Sequence, residues 1–327
     1  MSAGQLRLLA DIGGTNARFA LQAAGQAPGD IEVLPCCDYE DIGVAIHAYL
    51  DKAAARGHAS GSVRAAALAI ANPVEGDLVA MTNHHWRFSI EALRRELGFD
   101  TLLVVNDFAA LAMSLPHLGG AGRERIGAGG EGAPGRPIGL VGPGTGLGVA
   151  GIVPCGGRWI ALPGEGGHVS FAPVTRQEIR VMEALWTELG QQEGHVSAER
   201  LLSGAGLEAI HRALADERLG AAAITARALD GSCAACRETV EVFCAVLGSV
   251  AGNVALTLGA TGGLYIGGGI VPRLGALFHA SAFRRRFEDK GRLRGYLERI
   301  PTWLVTEPYP ALRGVAAMLD EQAAQPL

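Results

Sequence analysis

The fold class of the first half is decided by the stretch Leu6-Arg-Leu-Leu-Ala-Asp-Ile-Gly-Gly-Thr-Asn-Ala-Arg-Phe-Ala-Leu21. Residues 6–10 alternate as in a strand, residues 13–15 are Gly-Gly-Thr, and apolar side chains return at every second position from 17 to 21. Such alternation on both sides of small, turn-forming residues is typical of two strands joined by a tight turn. The stretch therefore predicts a β-hairpin with a glycine bend.

The same pattern occurs again in the middle of the chain. Residues 138–141 and 147–153 are mostly apolar, and Gly142-Pro-Gly-Thr-Gly146 lies between them. This order predicts a second strand, glycine bend and strand. The repetition indicates that the protein consists of two related half-molecules.

The segments outside the two hairpins alternate between strand and helix patterns, which indicates an α/β protein. Further strands are expected at 31–34, 65–71, 78–81 and 101–105, and a last strand at 264–266. Helices are expected at 42–53, from Ser89, at 176–189, 197–215, 221–229 and 236–258, after Gly269, and at 311–319.

The length of 327 residues corresponds to about two domains at roughly 150 residues each. Residues 119–136 are rich in glycine and lack periodicity, so they are expected to be a loop or linker between the halves. The final helix is compatible with either half. We expect a smaller α/β domain of 1–117 with 313–327, and a larger one of 118–312.

The charge composition excludes several classes of partner and enzyme. The 28 basic and 33 acidic residues give a net charge of −5, so neither nucleic acid nor a membrane is an expected partner. Only Lys52 and Lys290 are lysines, and neither lies in a Walker loop, a protein-kinase strand motif or a pyridoxal setting. The 47 glycines exceed the average share, which indicates many tight turns or close approaches.

The six cysteines and one uncharged segment bear on where the protein is found. The cysteines follow no secreted spacing and no signal peptide is recognised, so a reduced, cytoplasmic protein is expected. Cys233-Ala-Ala-Cys236 fits half a zinc site or a redox pair, but its apolar context favours helix-core thiols. Residues 242–272 carry no charge, yet their glycines favour a buried helix and strand over a membrane span.

The two glycine bends have the composition of phosphate-binding turns. Successive amides in such a bend bind an anion without lysine, although an ordinary hairpin turn is the alternative for each bend alone. Gly146-Leu-Gly-Val-Ala-Gly151 matches the dinucleotide and protein-kinase glycine motifs by letter. The β-branched residues that follow it end at Pro154, so the helix that these motifs need is missing.

Polar residues at three further places are candidates for chemistry. Asn106-Asp107 follows an apolar strand, where Asp107 is either a helix N-cap or a general base and Asn106 favours polyol binding. Glu165 and His168 lie among glycines, in a ligand site or a surface turn. Glu199 alone indicates a solvated helix face or a partner of Arg200. His84 and His85 have no metal-ligand companions, so both are interpreted as structural.

Six segments together resemble the bacterial glucokinase family, in order from about residue 5 to the last helix. They are Asp11-Ile-Gly-Gly-Thr-Asn-Ala-Arg18, Asn106-Asp-Phe108, Gly144-Thr-Gly-Leu-Gly-Val149, Leu162-Pro-Gly-Glu-Gly-Gly-His168, Gly194-His-Val-Ser-Ala-Glu-Arg200 and Gly267-Gly-Gly-Ile-Val-Pro-Arg273. The resemblance implies an α/β protein with two actin/hexokinase-like, or ribonuclease H-like, domains around a central cleft. It implies transfer of the ATP γ-phosphate to the 6-hydroxyl of glucose, with Mg²⁺ bound through the ATP phosphates.

The resemblance also implies a role for individual residues. Asp107 matches the general base, and Asn106, Asp107, Glu165, His168 and Glu199 match the sugar ligands. The implied nucleotide-binding residues are Ala10, Asp11, Ile12, Gly13, Gly14, Thr15, Gly144, Thr145, Gly146, Gly267, Gly268 and Gly269. Ala10 replaces a usual glycine and Pro143 stiffens the second bend, so the loop geometry departs slightly from the family.

Two alternatives to a glucokinase stay open. One is a kinase for mannose, glucosamine or fructose, because sequence alone does not fix which hydroxyl inversion is tolerated. The other is a non-catalytic sugar-binding regulator on the same fold, which a broken phosphate bend or a missing base would indicate. The resemblance implies glucose and ATP as binding partners and a homodimer.

Overall fold

The computed structural model describes residues 6–23, 25–58, 60–82, 84–189 and 194–323. The chain divides into two compact units, which we call unit 1 (1–118 with 308–327) and unit 2 (119–307). The expected division placed 118 and 308–312 in the larger domain. In the structure both belong to unit 1, because the last helix of that unit already begins at Pro310.

Thirteen strands and twelve α-helices make up the described parts of the chain. The strands are β1 Leu6–Ile12, β2 Asn16–Ala23, β3 Gly29–Pro35, β4 Ala65–Ile70, β5 Leu78–Ala80, β6 Arg87–Ser89, β7 Thr101–Asn106, β8 Arg123–Arg125, β9 Ile138–Pro143, β10 Leu147–Cys155, β11 Arg158–Gly164, β12 Gly263–Ile266 and β13 Thr302–Val305. The helices are α1 Ile42–Ala55, α2 Ile90–Glu96, α3 Asp107–Ser114, α4 Arg176–Leu189, α5 Gly204–Ala215, α6 Ala221–Leu229, α7 Ala234–Leu258, α8 Val271–Leu274, α9 Ala276–Ala280, α10 Phe283–Glu288, α11 Arg294–Glu298 and α12 Pro310–Ala323.

Unit 1 is built on a five-stranded sheet in the order β3-β2-β1-β4-β7. The first three strands are antiparallel neighbours, and β4 and β7 are added in parallel. Both faces of this sheet are covered. Leu8 packs in the cluster that contains α1, while Leu9 packs in the cluster that contains residues of α3 and α12. This explains why every residue of β4 is buried.

Unit 2 repeats this arrangement with the order β11-β10-β9-β12-β13, and β8 extends its sheet beyond β13. Strands β9, β10 and β11 are antiparallel neighbours, and β12 and β13 are parallel additions. The predicted repetition of the hairpin is therefore part of a larger repetition of sheet order. The two hairpins occupy equivalent places in the two sheets.

The structure corrects several predicted elements of unit 2. The strand at 264–266 is not the last one, since β13 follows it, and the predicted loop 119–136 contains β8. Strand β11 and the short helices α9 to α11 were not predicted. The predicted helix 197–215 is divided into a 3-10 turn, Ala198–Arg200, and α5. Ser203 begins α5 by accepting a hydrogen bond from the Gly206 amide at 3.1 Å.

Helix α7 is the core helix of unit 2. By length and composition alone it could cross a membrane, which is weak evidence, and 72% of its most apolar window is buried inside the protein. Its residues Phe243, Val246 and Leu247 are fully buried. The expectation of a buried helix and strand in this part of the chain is confirmed. All six cysteines are free thiols, and Cys236 and Cys244 lie on this helix in the core.

His84 and His85 are placed by ring packing. The centroids of their rings lie 4.2 Å apart. The His84 and Trp86 ring centroids lie 4.6 Å apart in an edge-to-face arrangement. The His85 Nε2 atom lies 2.9 Å from the Glu40 carbonyl oxygen. These contacts support the structural interpretation of both histidines.

We predict that Gly314→Ala destabilises unit 1. A Cβ at this position of α12 would overlap the carbonyl oxygen of Ala110 on α3, so the two helices would have to separate. Overpacking of this kind costs about 3 kcal/mol, which urea unfolding followed by circular dichroism would measure. Gly295→Ala is the matched control, because no atom lies within 4 Å of a Cβ there. Equal stability of the two variants would contradict the prediction.

Candidate active site

The end of β7 presents two polar residues with different roles. The Asn106 side chain caps α3, since its Oδ1 accepts hydrogen bonds from the amides of Phe108 at 2.9 Å and Ala109 at 3.2 Å. Its Nδ2 donates to the Asn72 carbonyl oxygen at 3.4 Å. The N-cap interpretation of Asp107 is therefore wrong, because Asn106 occupies that position and Asp107 is the first residue of the helix.

The pKa of the Asp107 carboxyl group is raised well above its ordinary value. Burial, helped by the negative charge of Asp11, raises its pKa to about 6, although the hydrogen bond from the Phe108 amide acts in the opposite direction. Burial also raises the pKa of Asp11, which Arg18 counteracts from 3.4 Å. A carboxylate with a pKa close to the operating pH has the property expected of a general base.

The first glycine bend lies between β1 and β2. The Gly13 amide donates to the Asn16 carbonyl oxygen at 3.0 Å, and the Thr15 carbonyl oxygen accepts from the Cys36 amide at 2.8 Å. Within the described residues the amides of Gly14 and Thr15 have no acceptor. Thr15 is exposed and Gly14 is half-buried, so both amides are accessible to an anion.

The remaining residues expected in this segment differ in accessibility. Ala10 and Ile12 are fully buried in the core of unit 1. Asp11 and Gly13 are half-buried. A ligand can therefore contact residues 11–15 while the core stays unchanged. The side chains of Ala10 and Ile12 are not accessible to it.

The second glycine bend lies between β9 and β10, where Pro143 pairs with Leu147. The Gly144 amide donates to the Gly146 carbonyl oxygen at 2.8 Å, and the Gly204 amide at the start of α5 donates to the Gly144 carbonyl oxygen at 3.0 Å. Thr145 is exposed at the tip. No atom lies within 4 Å of a Cβ built on Gly144, so the protein's own packing does not require glycine there.

The third glycine segment, 267–269, adjoins the second bend. The Gly267 amide donates to the Val141 carbonyl oxygen at 2.9 Å. Gly268 has a φ of +77°, and a Cβ there would overlap the Pro143 carbonyl oxygen. Gly269 is exposed with open space around its Cβ position. Unit 2 therefore brings two of the three predicted nucleotide segments together.

Glu165 precedes a single 3-10 turn, Gly166–His168, and His168 is the last residue of that turn. Their side chains are 70% and 59% exposed, and the His168 Nε2 lies 3.9 Å from the Glu165 Oε2. A Cβ on Gly167 would overlap the Leu147 carbonyl oxygen, so this turn lies directly on the start of β10. Both side chains are free to meet a ligand.

Glu199 contacts the second glycine bend. Its Oε2 accepts a hydrogen bond from the Leu147 amide at 2.9 Å and lies 2.5 Å from the position of a Cβ on Gly146. Within the described residues Glu199 forms no ion pair with Arg200. The Ala198 amide donates to the Val169 carbonyl oxygen at 2.9 Å, which holds the turn of Glu199 next to the turn of His168.

Two residues that contact the candidate site residues were not predicted from the sequence. Asn72 follows β4, and the pairing of Ile70 with Asn106 places it beside the Asn106 amide. The Asn-Pro dipeptide after an apolar run was the available signal. His195 contacts the turn of His168, since its Nε2 atom lies 2.9 Å from the His168 carbonyl oxygen. No signal in the sequence pointed to that contact.

No group of three or more histidine, cysteine, aspartate or glutamate side chains among the described residues could hold a metal ion. Mg²⁺ keeps several waters and is usually bound by substrate phosphates and one or two carboxylates, so it does not need such a group. The half-buried Asp11 at the first bend is a carboxylate of the kind that could take part.

Known proteins resemble this chain over almost its whole length. The family model for glucokinase matches residues 8–322. A glucokinase from Chromobacterium violaceum is 54% identical over 324 residues, which cover 97% of this chain and 90% of that protein. The solved structure of a glucokinase from an Antarctic psychrotroph has a TM-score of 0.87 at 36% identity and covers 97% of this chain and 99% of that one.

Other relatives are longer than this chain. A protein of Paraburkholderia xenovorans named "Bifunctional protein glk" is 54% identical over 323 residues, which are 97% of this chain but 49% of that protein. The chain thus spans about half the length of several curated relatives that it matches.

The repeated sheet order and these similarities define the class of the protein. The fold is α/β with two actin/hexokinase-like units, the architecture of the hexokinase-like sugar kinases. The chain belongs to the glucokinase family. The resemblance inferred from the six sequence segments is confirmed.

We predict that Asp107→Asn stabilises the fold above pH 6. The pKa of Asp107 is raised to about 6 in the folded protein, compared with about 3.9 for an unperturbed aspartate, so the wild type loses stability as the pH rises from about 4 to 6. Asparagine has no proton to lose. Its gain in unfolding free energy relative to wild type should grow by about 3 kcal/mol across this window and then stay constant.

Urea unfolding at pH 4.5 and pH 8 measures this difference. Asp51→Asn, which removes an exposed carboxylate on α1, serves as the control and should show a much smaller change with pH. A gain for Asp107→Asn that is the same at both pH values would contradict a raised pKa.

Proposed function

We propose that the protein is a glucokinase, which transfers the γ-phosphate of ATP to the 6-hydroxyl of glucose and yields glucose 6-phosphate and ADP. The observation that carries this proposal is the Asp107 carboxyl group. It directly follows β7, and its pKa is raised to about 6. Membership of the glucokinase family supports the reaction and the substrate class. The Chromobacterium violaceum relative also carries the name glucokinase.

In this proposal Asp107 accepts the proton of the sugar hydroxyl as that oxygen attacks the γ-phosphorus. The bond between the γ-phosphorus and the bridging oxygen of ADP breaks, and the electron pair leaves with ADP. A phosphoryl group passes through a loose transition state, so alignment and charge neutralisation contribute more than covalent help. Asp107 at a pKa of about 6 is ionised at neutral pH and still basic enough to take the proton.

The glycine segments are proposed to bind the nucleotide. The amides of Gly14 and Thr15, and those of Thr145 and Gly146, have no acceptor within the described residues and are suited to phosphate oxygens. Asp11 and Gly13 belong to the first of these segments. We place Gly144 in the second, and Gly267, Gly268 and Gly269 near the adenosine. Mg²⁺ is carried on the phosphates and neutralises their charge when it is bound.

The sugar is proposed to be bound by Asn106, Asp107, Glu165, His168 and Glu199. Glu165 and His168 are exposed, and each offers hydrogen-bonding atoms to hydroxyl groups. Asn106 uses its Oδ1 to cap α3, so its Nδ2, which makes only a 3.4 Å contact, is the group left for a sugar oxygen.

Several properties of the whole protein are part of the same proposal. We propose that units 1 and 2 act as its two domains, and that it works in the cytoplasm as a homodimer. Glucose and ATP are its proposed partners, and no nucleic acid or membrane is proposed. The net charge of −5 supports the absence of a nucleic acid partner.

Two alternatives differ from this function in what they require. A kinase for mannose, glucosamine or fructose would use the same base and bends with another sugar orientation. A non-catalytic sugar-binding regulator would lack a competent base or an open phosphate bend. Asp107 and the open Gly144 position favour a kinase over the regulator.

A coupled ADP-release assay over a panel of hexoses tests the proposed function. Glucose should give the highest kcat/KM with ATP and Mg²⁺, and mannose, glucosamine and fructose should follow. A higher kcat/KM for another hexose would select that sugar as the substrate. No ADP release with any hexose, together with measurable sugar binding, would support the regulator instead.

We predict that Asp107→Asn lowers kcat by roughly 10²–10⁴, because asparagine accepts no proton. Glucose should still bind with an affinity close to that of wild type by calorimetry, since the amide keeps hydrogen-bonding capacity. In the wild type, kcat/KM should fall as the pH drops through about 6, the pKa of this group. Near-normal turnover of the variant would remove Asp107 from the role of general base.

A further inference from the structure

Glu199 has a contact that its proposed sugar-binding role does not explain. Its Oε2 accepts the Leu147 amide hydrogen at 2.9 Å and lies against the Gly146 backbone. The other carboxylate oxygen, Oε1, is farther from the Gly146 position, at 3.9 Å from a Cβ there. One side chain therefore presents one oxygen to the second glycine bend and keeps the other for a ligand.

The position of Leu147 makes this contact important for the shape of the bend. Leu147 is the first residue after the bend and pairs with Pro143, which is the last residue before it. Because the Gly144 amide donates to the Gly146 carbonyl oxygen inside the bend, Pro143 and Leu147 form a non-hydrogen-bonded pair, and the Leu147 amide has no acceptor on β9. The exit of the bend therefore depends on an acceptor from another part of the chain, and Glu199 provides it.

Besides the internal hydrogen bond from the Gly144 amide to the Gly146 carbonyl oxygen, three contacts with other segments hold the bend. The Ile270 amide contacts the Pro143 carbonyl oxygen at 3.4 Å at the entry, and the Gly204 amide binds the Gly144 carbonyl oxygen at 3.0 Å in the middle. Glu199 holds the exit. The Glu199 contact is the only one of these three that involves a charged group, and charge-assisted hydrogen bonds are about twice as strong as neutral ones.

We propose that Glu199 is a positioning residue for the nucleotide. It holds the Gly144–Gly146 bend in the shape in which the Thr145 and Gly146 amides face the phosphates, so its loss weakens nucleotide binding even when no sugar is present. This proposal rests on the proposed function for the identity of the nucleotide. It extends that function, because one carboxylate then links the sugar ligands to the phosphate bend.

The charge of Glu199 gives the proposal a distinctive signature. A carboxylate behind a phosphate-binding bend repels the phosphate, whereas the hydrogen bond that it accepts preorganises the bend. The two effects act in opposite directions and can be separated. Glutamine at this position keeps an accepting oxygen for the Leu147 amide but removes the charge, and alanine removes both.

The experiment is calorimetric titration of the full chain with Mg²⁺ and a non-hydrolysable ATP analogue in the absence of sugar. Glu199→Ala should raise the Kd by about tenfold, as expected when a buried donor loses a charged acceptor. Glu199→Gln should bind the analogue as tightly as wild type or more tightly. His168→Ala, which removes another proposed sugar ligand without a contact to the bend, should stay within about twofold of wild type.

Two outcomes would overturn the proposal. One is an unchanged Kd in Glu199→Ala, and the other is an equal loss in the alanine and glutamine variants, since the accepting oxygen would then not matter. Thermal unfolding of each variant identifies loss of folding, and Glu199→Gln keeps the comparison valid if the alanine variant unfolds. A wild type that binds the nucleotide but phosphorylates no hexose would contradict the proposed function and leave this test unaffected.

Discussion

The structure of each unit depends on how early the chain turns back after the first strand of its hairpin, which is β1 in unit 1 and β9 in unit 2. In unit 1, Ile12 pairs with Ala17, which leaves four residues for the bend. In unit 2, Pro143 pairs with Leu147, which leaves three. The buried face of each hairpin fixes this register, because a shift of one residue would move every core side chain to the opposite face. A short bend with unused amides follows directly from that constraint.

Five glycines of the proposed site segments in unit 2 fall into two groups with different physical reasons. Gly146, Gly167 and Gly268 are required by the fold, since a Cβ on each would meet Glu199, Leu147 or Pro143. Gly144 and Gly269 have open space at the Cβ position and need no positive φ. Under the proposed function, glycine at these two positions leaves room for a nucleotide close to the backbone. The close contacts at Gly146, Gly167 and Gly268 thus fix the backbone in which Gly144 and Gly269 keep open space at the Cβ position.

The sequence predicted the elements that have strong patterns and failed where the pattern is short. The hairpins, β4, α6 and the buried helix α7 were predicted because their periodicity extends over enough residues. The strand β11 lies at a sheet edge and is mostly exposed, and β13 has only four residues, so neither carries a clear alternation. Local pattern also cannot show that the turn at Ala198–Arg200 interrupts a helix, because the interruption depends on contacts with distant segments.

The site was predicted by residue type but not by contact. Resemblance selected Asn106, Asp107 and Glu199, yet only the geometry shows that Asn106 caps α3 and that Glu199 binds the Leu147 amide. The pKa of Asp107 depends on burial and on Asp11, which lies 96 positions earlier in the chain. Neither is visible in the two residues around it. The proposed choice of Asp107 as the base depends on these long-range effects.

The scarcity of lysine explains why these bends carry so much of the proposed chemistry. Lys52 is engaged with Glu32 on the surface of unit 1, and Lys290 binds the Ser249 carbonyl oxygen at 3.0 Å and the Asn253 side chain at 2.7 Å. Neither is therefore available to a phosphate group. Arg18, which lies on β2 just after the first bend, faces Asp11. A triphosphate bound here would then rely on backbone amides, whose direction the fold must fix in advance, because an amide cannot follow its ligand as a flexible lysine does.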